Sequence, residues 1–283
     1  MSSTVKRKIA NLFDRPGGHW LLSAAATHWA RSVTGDHDLS IIYDGMWIDV
    51  IDQTYIPRSS KFGYYNFDFE NMRRIARDRL VGSLDYWTHV YRPQNGDTVI
   101  DVGAGIGIDT LALSPLVGPS GRIYSIEAHP WTFCALLKTC ELNRLTNVIP
   151  LQYALSEKPG PVWISDLPNS EENSISGVFL DDHAISVPAT NLDTLVASQG
   201  IQRIALLKLN IEGAEQMVIK GIDRCASQID HIAIACHDFR GGAYRTREPV
   251  IEFLQDHGFE IIERRHDPRI YVRDHIHGIR KKL

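Results

Sequence analysis

The chain has 283 residues, 43% of them hydrophobic and 23% charged, the balance of an ordinary soluble globular protein. That length suits one core with an N-terminal extension better than two developed domains. A formal net charge of -4 excludes bulk attraction to nucleic acid or to an anionic membrane.

At the N-terminus, Lys6, Arg7 and Lys8 precede an apolar stretch cut by Asp14, Arg15, Pro16 and two glycines, so no export signal is expected and a cytoplasmic location follows. The run from Trp20 to Ala30 is too short to span a bilayer; it reads as a helix packed on the domain, with a membrane-surface helix as the alternative. Met72, Ile75, Ala76, Leu80, Leu84, Trp87 and Tyr91 form a helical apolar stripe that ends before Pro93. Residues 1–94 are therefore expected to be a helical extension covering the substrate, ahead of a domain over 95–283. Tyr64, Tyr65, Phe67, Phe69, Tyr86 and Trp87 are candidates to line a pocket, although core is the commoner fate of such residues.

From residue 95 strand and helix patterns alternate. Strands are expected at Thr98–Val102, Arg122–Ile126, Val148–Tyr153, Ile204–Asn210 and Ile229–Cys236. Between them lie helices from Ile108 to Val117, Trp131 to Arg144, Leu192 to Ser198 and Ala214 to Ala226. A stretch near 157–183 rich in Pro, Gly, Ser and Asn reads as an insertion with little helix. After a helix from Arg247 to His257, two last strands, Phe259–Arg264 and Ile270–Arg273, are too close for a parallel crossover and must pair antiparallel. The expected fold is α/β: a doubly wound, mostly parallel seven-stranded sheet with a terminal antiparallel hairpin. Cys134, Cys140, Cys225 and Cys236 form no CxxC pair and read as unpaired buried residues. Basic residues from Arg264 onward read as a solvated surface.

The decisive segment runs from Thr98 to Thr110: a strand delivers Asp101, glycines follow at Gly103, Gly105 and Gly107, and a helix begins. Such a loop lets backbone approach a ligand at a helix N-terminus. A dinucleotide fingerprint needs a third glycine at position 108 or 110, where Ile108 and Thr110 stand, so both registers fail. Asp101 adds negative charge, which suits the ammonium and sulfonium of S-adenosylmethionine. Glu127 ends the second strand, where an acid can accept both ribose hydroxyls. Adenine is expected near Gln152, Tyr153 and Ala154, with Tyr153 equally readable as core.

Over roughly residues 95–260 the chain resembles the FkbM family of methyltransferases. The resemblance rests on Val99–Gly107, including Ala104, on Ile126-Glu-Ala-His-Pro130, on Ala154-Leu-Ser156, and on Leu207–Glu215 followed by Val218-Ile-Lys-Gly221. It implies a class I, Rossmann-like fold and O-methylation of a hydroxyl on a polyketide, sugar or other secondary metabolite. Two positions depart from the family pattern: Asn210 stands where Asp is usual, and Ala128 where Pro is usual. Asn210 removes a carboxylate from that strand end, beside the expected transfer site.

His237 follows an apolar strand and is the first candidate for general base, with Asp238 beside it; Glu212 and Glu215 lie on the same sheet edge. The remaining histidines, including His275 and His277, read as surface residues, and no metal is expected. The expected partner is a small-molecule or glycan hydroxyl acceptor, without nucleic acid and without an integral membrane segment; homo-oligomerisation stays open. Two alternatives remain at this stage, a non-catalytic S-adenosylmethionine-binding relative and an NAD-dependent oxidoreductase.

Overall fold

The computed structural model describes residues 13–58, 69–166, 184–242 and 245–281. Tyr64, Tyr65 and Phe67, and most of the 157–183 insertion, lie outside the described residues.

The sequence suggested a helical extension, but the described part of it also carries a sheet. Helix α1 (His19–Thr34) packs on a three-stranded antiparallel sheet of β1 (Ser40–Tyr43), β2 (Trp47–Ile51) and β3 (Thr54–Pro57). The turn into β3 places Asp52 and Gln53 at φ of 50° and 63°, the pairing of left-handed residues that a two-residue hairpin requires. Helix α2 (Met72–Trp87) then leads into the main domain.

Beyond it come β4 (Thr98–Val102), α3 (Ile108–Val117), β5 (Arg122–Ile126), α4 (Pro130–Leu142) and β6 (Val148–Leu151). A small second sheet follows, of β7 (Ala154–Leu155), β8 (Gly160–Ser165) and β9 (Ala184–Thr190), and then α5 (Leu192–Ser198). The chain returns through β10 (Leu206–Leu209), α6 (Glu215–Ile219), β11 (His231–Ala235), α7 (Arg247–Asp256), β12 (Phe259–Glu263), α8 (Ile270–Arg273) and β13 (His275–Arg280).

Seven strands form the main sheet in the order β12-β13-β11-β10-β4-β5-β6. β6, β5, β4, β10 and β11 run parallel, and β13 inserts antiparallel between β11 and β12. This is the expected mostly parallel sheet with a closing antiparallel hairpin. Ile100, Val102, Leu207, Leu209, Ile232 and Ile234 fill its core from successive strands. The chain reverses direction between β4's two neighbours, β5 and β10, and ligands in open α/β sheets bind at the carboxyl ends of strands at such a point.

Five local expectations are corrected. The helix foreseen over 214–226 stops at Ile219 and resumes as a 3-10 turn at Arg224–Gln228, because Asp193 accepts the backbone N–H groups of Asp223, Arg224 and Cys225 and caps a separate turn. Ile270–Arg273 is a helical turn after Pro268, and the hairpin's second strand is β13. His275 and His277 therefore lie in an interior strand, 4% and 1% exposed. Cys225 and Cys236 are buried as expected, whereas Cys134 is exposed and Cys140 half-buried; all four are free. The C-terminal arginines are not merely solvated: Arg264 and Arg269 both pair with Asp85 of α2, and Tyr86 meets Tyr271 through their hydroxyls at 3.1 Å. No helix among the described residues is long and apolar enough to cross a membrane.

Candidate active site

A cavity of about 300 Å³ opens at the carboxyl ends of β4, β5 and β10, at the lower end of the size range of small-molecule sites. Gly103, Ala104, Gly105, Glu127, Ala128, Tyr153, Ala154 and Asn210, all expected at the cofactor site, line it. Gly107 and Gln152 do not; Gly107 lies behind the loop, against Leu136 and Thr139 of α4.

The loop after β4 is shaped by close approach. Gly103 has φ 71°, and a Cβ there would lie 1.9 Å from the Asn210 carbonyl oxygen, so no other residue fits. Gly105, at φ 58°, is the converse: a Cβ would meet nothing within 4 Å, because the position faces the open cavity. The N–H groups of Gly103 and Ala104 both donate to the Ile126 carbonyl at 3.0 Å, which fixes the loop to the end of β5.

Asp101 is displaced from the role its charge suggested. Its carboxylate is fully buried and does not line the cavity. Oδ1 accepts from Lys208 Nζ at 2.7 Å, and Oδ2 from the Thr110 hydroxyl at 2.6 Å. Lys208, the residue that sequence reasoning missed, is a fully buried cation in the middle of β10. A signal for it existed: a lone lysine inside a strand buried on both faces needs a carboxylate, and Lys208 sits directly opposite Asp101 in the β10–β4 register. Burial opposes its charge, yet Asp101 and Asp109 outweigh that and hold its pKa well above the ordinary lysine value.

On the other wall, Glu127 is held by backbone: Oε2 accepts from Gly105 N–H and Oε1 from His129 N–H, each at 2.9 Å. Burial raises its pKa, partly offset by those two bonds. Each oxygen keeps a second acceptor position. His129, another wall residue not foreseen, precedes Pro130 at the first turn of α4 and contacts Asp166 through Nε2 at 2.9 Å. Tyr153 is 40% exposed and part of the wall, which settles it as a surface residue and not core.

The rim of the cavity beside Asn210 is built from residues after β10 and β11. Glu212 lines the cavity; His237 and Glu215 stand behind it. Glu215 is fully buried, and its Oε1 lies 3.0 Å from His237 Nδ1 while accepting from Gly213 N–H at 3.2 Å. His237 Nε2 lies 3.4 Å from Glu212 Oε1, and Arg240 pairs with the other Glu212 oxygen. Although burial disfavours a charged ring, hydrogen bonds to Glu212 and Glu215 raise the His237 pKa to about 10. The same partners, His237 and Arg240, outweigh burial at Glu212 and lower its pKa. At neutral pH His237 is thus an imidazolium, and a ring that already carries the proton does not accept another. Both Glu212 and His237 sit at φ 53°, a left-handed conformation uncommon for non-glycine residues and often found at functional sites.

The sheet order, the glycine loop and the strand-end carboxylate at its switch point are those of a Rossmann-like α/β domain with a ligand cavity at the carboxyl ends of its strands. Residues 101–261, more than half of the chain, match the Methyltransferase FkbM domain, and the chain belongs to that family. This removes the oxidoreductase alternative. Over 82% of its length the chain is 24% identical to 31-O-demethyl-FK506 methyltransferase FkbM of Streptomyces tacrolimicus, covering 96% of that protein. It is likewise 24% identical to the hexuronic acid methyltransferase AglP of Haloferax volcanii, over 60% of this chain and 70% of that one. Among solved structures it is similar to a methyltransferase FkbM from Methylobacillus flagellatus, at 16% identity and a TM-score of 0.49, covering 76% of this chain. The chain spans about half, 52%, of that structure's length.

Proposed function

We propose that the chain transfers a methyl group from S-adenosylmethionine to a hydroxyl oxygen of a small-molecule or glycan acceptor in the cytoplasm. The cavity suits the donor: Gly105 leaves space that a Cβ would fill, Glu127 keeps free acceptor positions, and Ile106, Ile126 and Leu155 supply apolar wall. Gly103, Ala104, Gly105, Glu127, Ala128, Tyr153, Ala154 and Asn210 would hold it. When bound, S-adenosylmethionine supplies a methyl carbon activated by its sulfonium. The names of two relatives, one acting on a demethylated hydroxyl position and one on a hexuronic acid, support a hydroxylated acceptor.

The observation that carries the reading is the Glu212–His237–Glu215 array at the cavity edge. Glu212 is the group that meets the acceptor hydroxyl and takes its proton as attack develops. His237, protonated and anchored by Glu215, orients that carboxylate; this reverses the order expected from sequence, in which His237 was the base. Asn210 adds no charge at the strand end, so the proton has no competing carboxylate there. The extension, tied to the domain through Asp85, covers the acceptor side in this reading.

Glu212→Gln tests it. Turnover on a screened panel of hydroxylated acceptors should fall roughly 100-fold to 10,000-fold, with S-adenosylhomocysteine affinity kept. Unchanged turnover would remove Glu212 from the chemistry. Donor binding with no turnover on any acceptor would favour the non-catalytic alternative.

A further inference from the structure

Below the glycine loop lies a buried ion cluster that the proposed chemistry leaves unused. Lys208 Nζ spends all three of its N–H groups there: on Asp101 Oδ1 at 2.7 Å, on Asp109 Oδ2 at 3.0 Å and on the Gly103 carbonyl at 3.0 Å. The Lys208 and Asp101 side chains are both 0% exposed. Two carboxylates face one ammonium, and the cluster is closed from the extension side by Ser83, whose hydroxyl donates to Asp109, and by the Trp87 ring, 5.1 Å from Nζ.

Stability alone accounts poorly for such an arrangement. Taking an ammonium and carboxylates out of water costs about what their attraction returns, and apolar replacements of similar volume are often neutral or stabilising. What the cluster does that apolar side chains would not is grip a specific backbone oxygen. Gly103 is itself part of the cavity wall, and the peptide that follows its carbonyl carries Ala104 and Gly105. Lys208 holds it from below while the Ile126 carbonyl holds the Gly103 and Ala104 N–H groups from the side. The loop is pinned at both polar groups of one residue.

We infer that Lys208 is a positioning residue for the methyl donor: the buried Lys208–Asp101–Asp109 cluster fixes the Gly103 carbonyl, and through it the loop that receives the donor. The inference rests on the reading of this cavity as the donor site. It also gives the extension a second task, since Ser83 and Trp87 of α2 brace the cluster from behind.

The test separates fold from binding. Lys208→Met leaves two carboxylates without their ammonium, so the companion variant adds Asp101→Asn and Asp109→Asn and removes all three charges. Melting temperature and S-adenosylhomocysteine affinity by calorimetry are read on wild type and both variants. The triple variant is expected to melt within a few degrees of wild type yet bind S-adenosylhomocysteine about tenfold or more weakly, with adenosine affinity changed much less. Wild-type affinity in the folded triple variant would overturn the proposal. So would failure of the triple variant to fold, which would make the cluster structural. Absence of binding to wild type would instead remove the donor-site reading itself, and this inference with it.

Discussion

At the scale of single residues, the His237 environment makes a prediction that separates two bases. With its pKa raised to about 10 by Glu212 and Glu215 against the opposing effect of burial, His237 is charged across the neutral range. If Glu212 meets the hydroxyl, the rate is flat from neutral pH upward and falls only as His237 loses its proton near 10 and Glu212 keeps Arg240 as its one remaining cationic partner among those two. If His237 itself is the base, kcat climbs about tenfold per pH unit toward the same value. A pH–rate profile with constant donor saturation decides between them. None of this was legible in sequence, where His237 and Glu212 were only neighbours on one sheet edge. The charge on the ring depends on Glu215 reaching Nδ1 from a helix start 22 residues earlier in the chain.

At the scale of elements, the strand–loop–helix unit from β4 to α3 was readable because its periodicity, its glycines and its neighbours all agree. The sequence expectation and the structure share the bounds Thr98–Val102 and Ile108–Val117. The extension's sheet was missed although its turns were on view: Asp44-Gly45 and Asp52-Gln53 separate short runs rich in β-branched residues. Short apolar runs do not distinguish helix from strand, and helical stripes flank these on both sides. The last strand was misplaced because Ile270–Arg273 looks apolar, while His275-Ile-His277 looks polar until the sheet closes over it. The loop's dependence on close approach is testable at one position. Gly103→Ala should cost about 2 kcal/mol or more, since a Cβ meets the Asn210 carbonyl and φ is left-handed. Urea unfolding measures it; a loss below half that would mean the loop relaxes freely away from β10.

At the scale of the whole molecule, three histidines set opposite trends with pH. His275 and His277 are buried, which lowers their pKa values to about 4 and about 3, with neighbouring positive charge adding to the effect. The unfolded chain binds protons at these side chains below about 6.5 while the fold does not, so stability falls as pH drops from there toward 4. His237 runs the other way: its folded pKa is raised, so its contribution is complete below about 6.5 and is lost as pH rises through about 10. Between them, stability is expected to peak in the weakly acidic to neutral range. Melting temperatures across that range check it, and replacing His275 and His277 with apolar residues should flatten the acid limb. An acid limb unchanged in that variant would assign the loss to carboxylates instead.

If the cavity at the ends of β4, β5 and β10 is the donor site, donor affinity depends on Glu127. Calorimetric titration of the purified protein with S-adenosylhomocysteine, repeated on Glu127→Ala, tests it most directly. Saturable one-site binding is expected, weakened severely by Glu127→Ala while the protein stays folded. Folded wild-type protein that takes up no S-adenosylhomocysteine, or a Glu127→Ala variant that binds it as well as wild type, would contradict it.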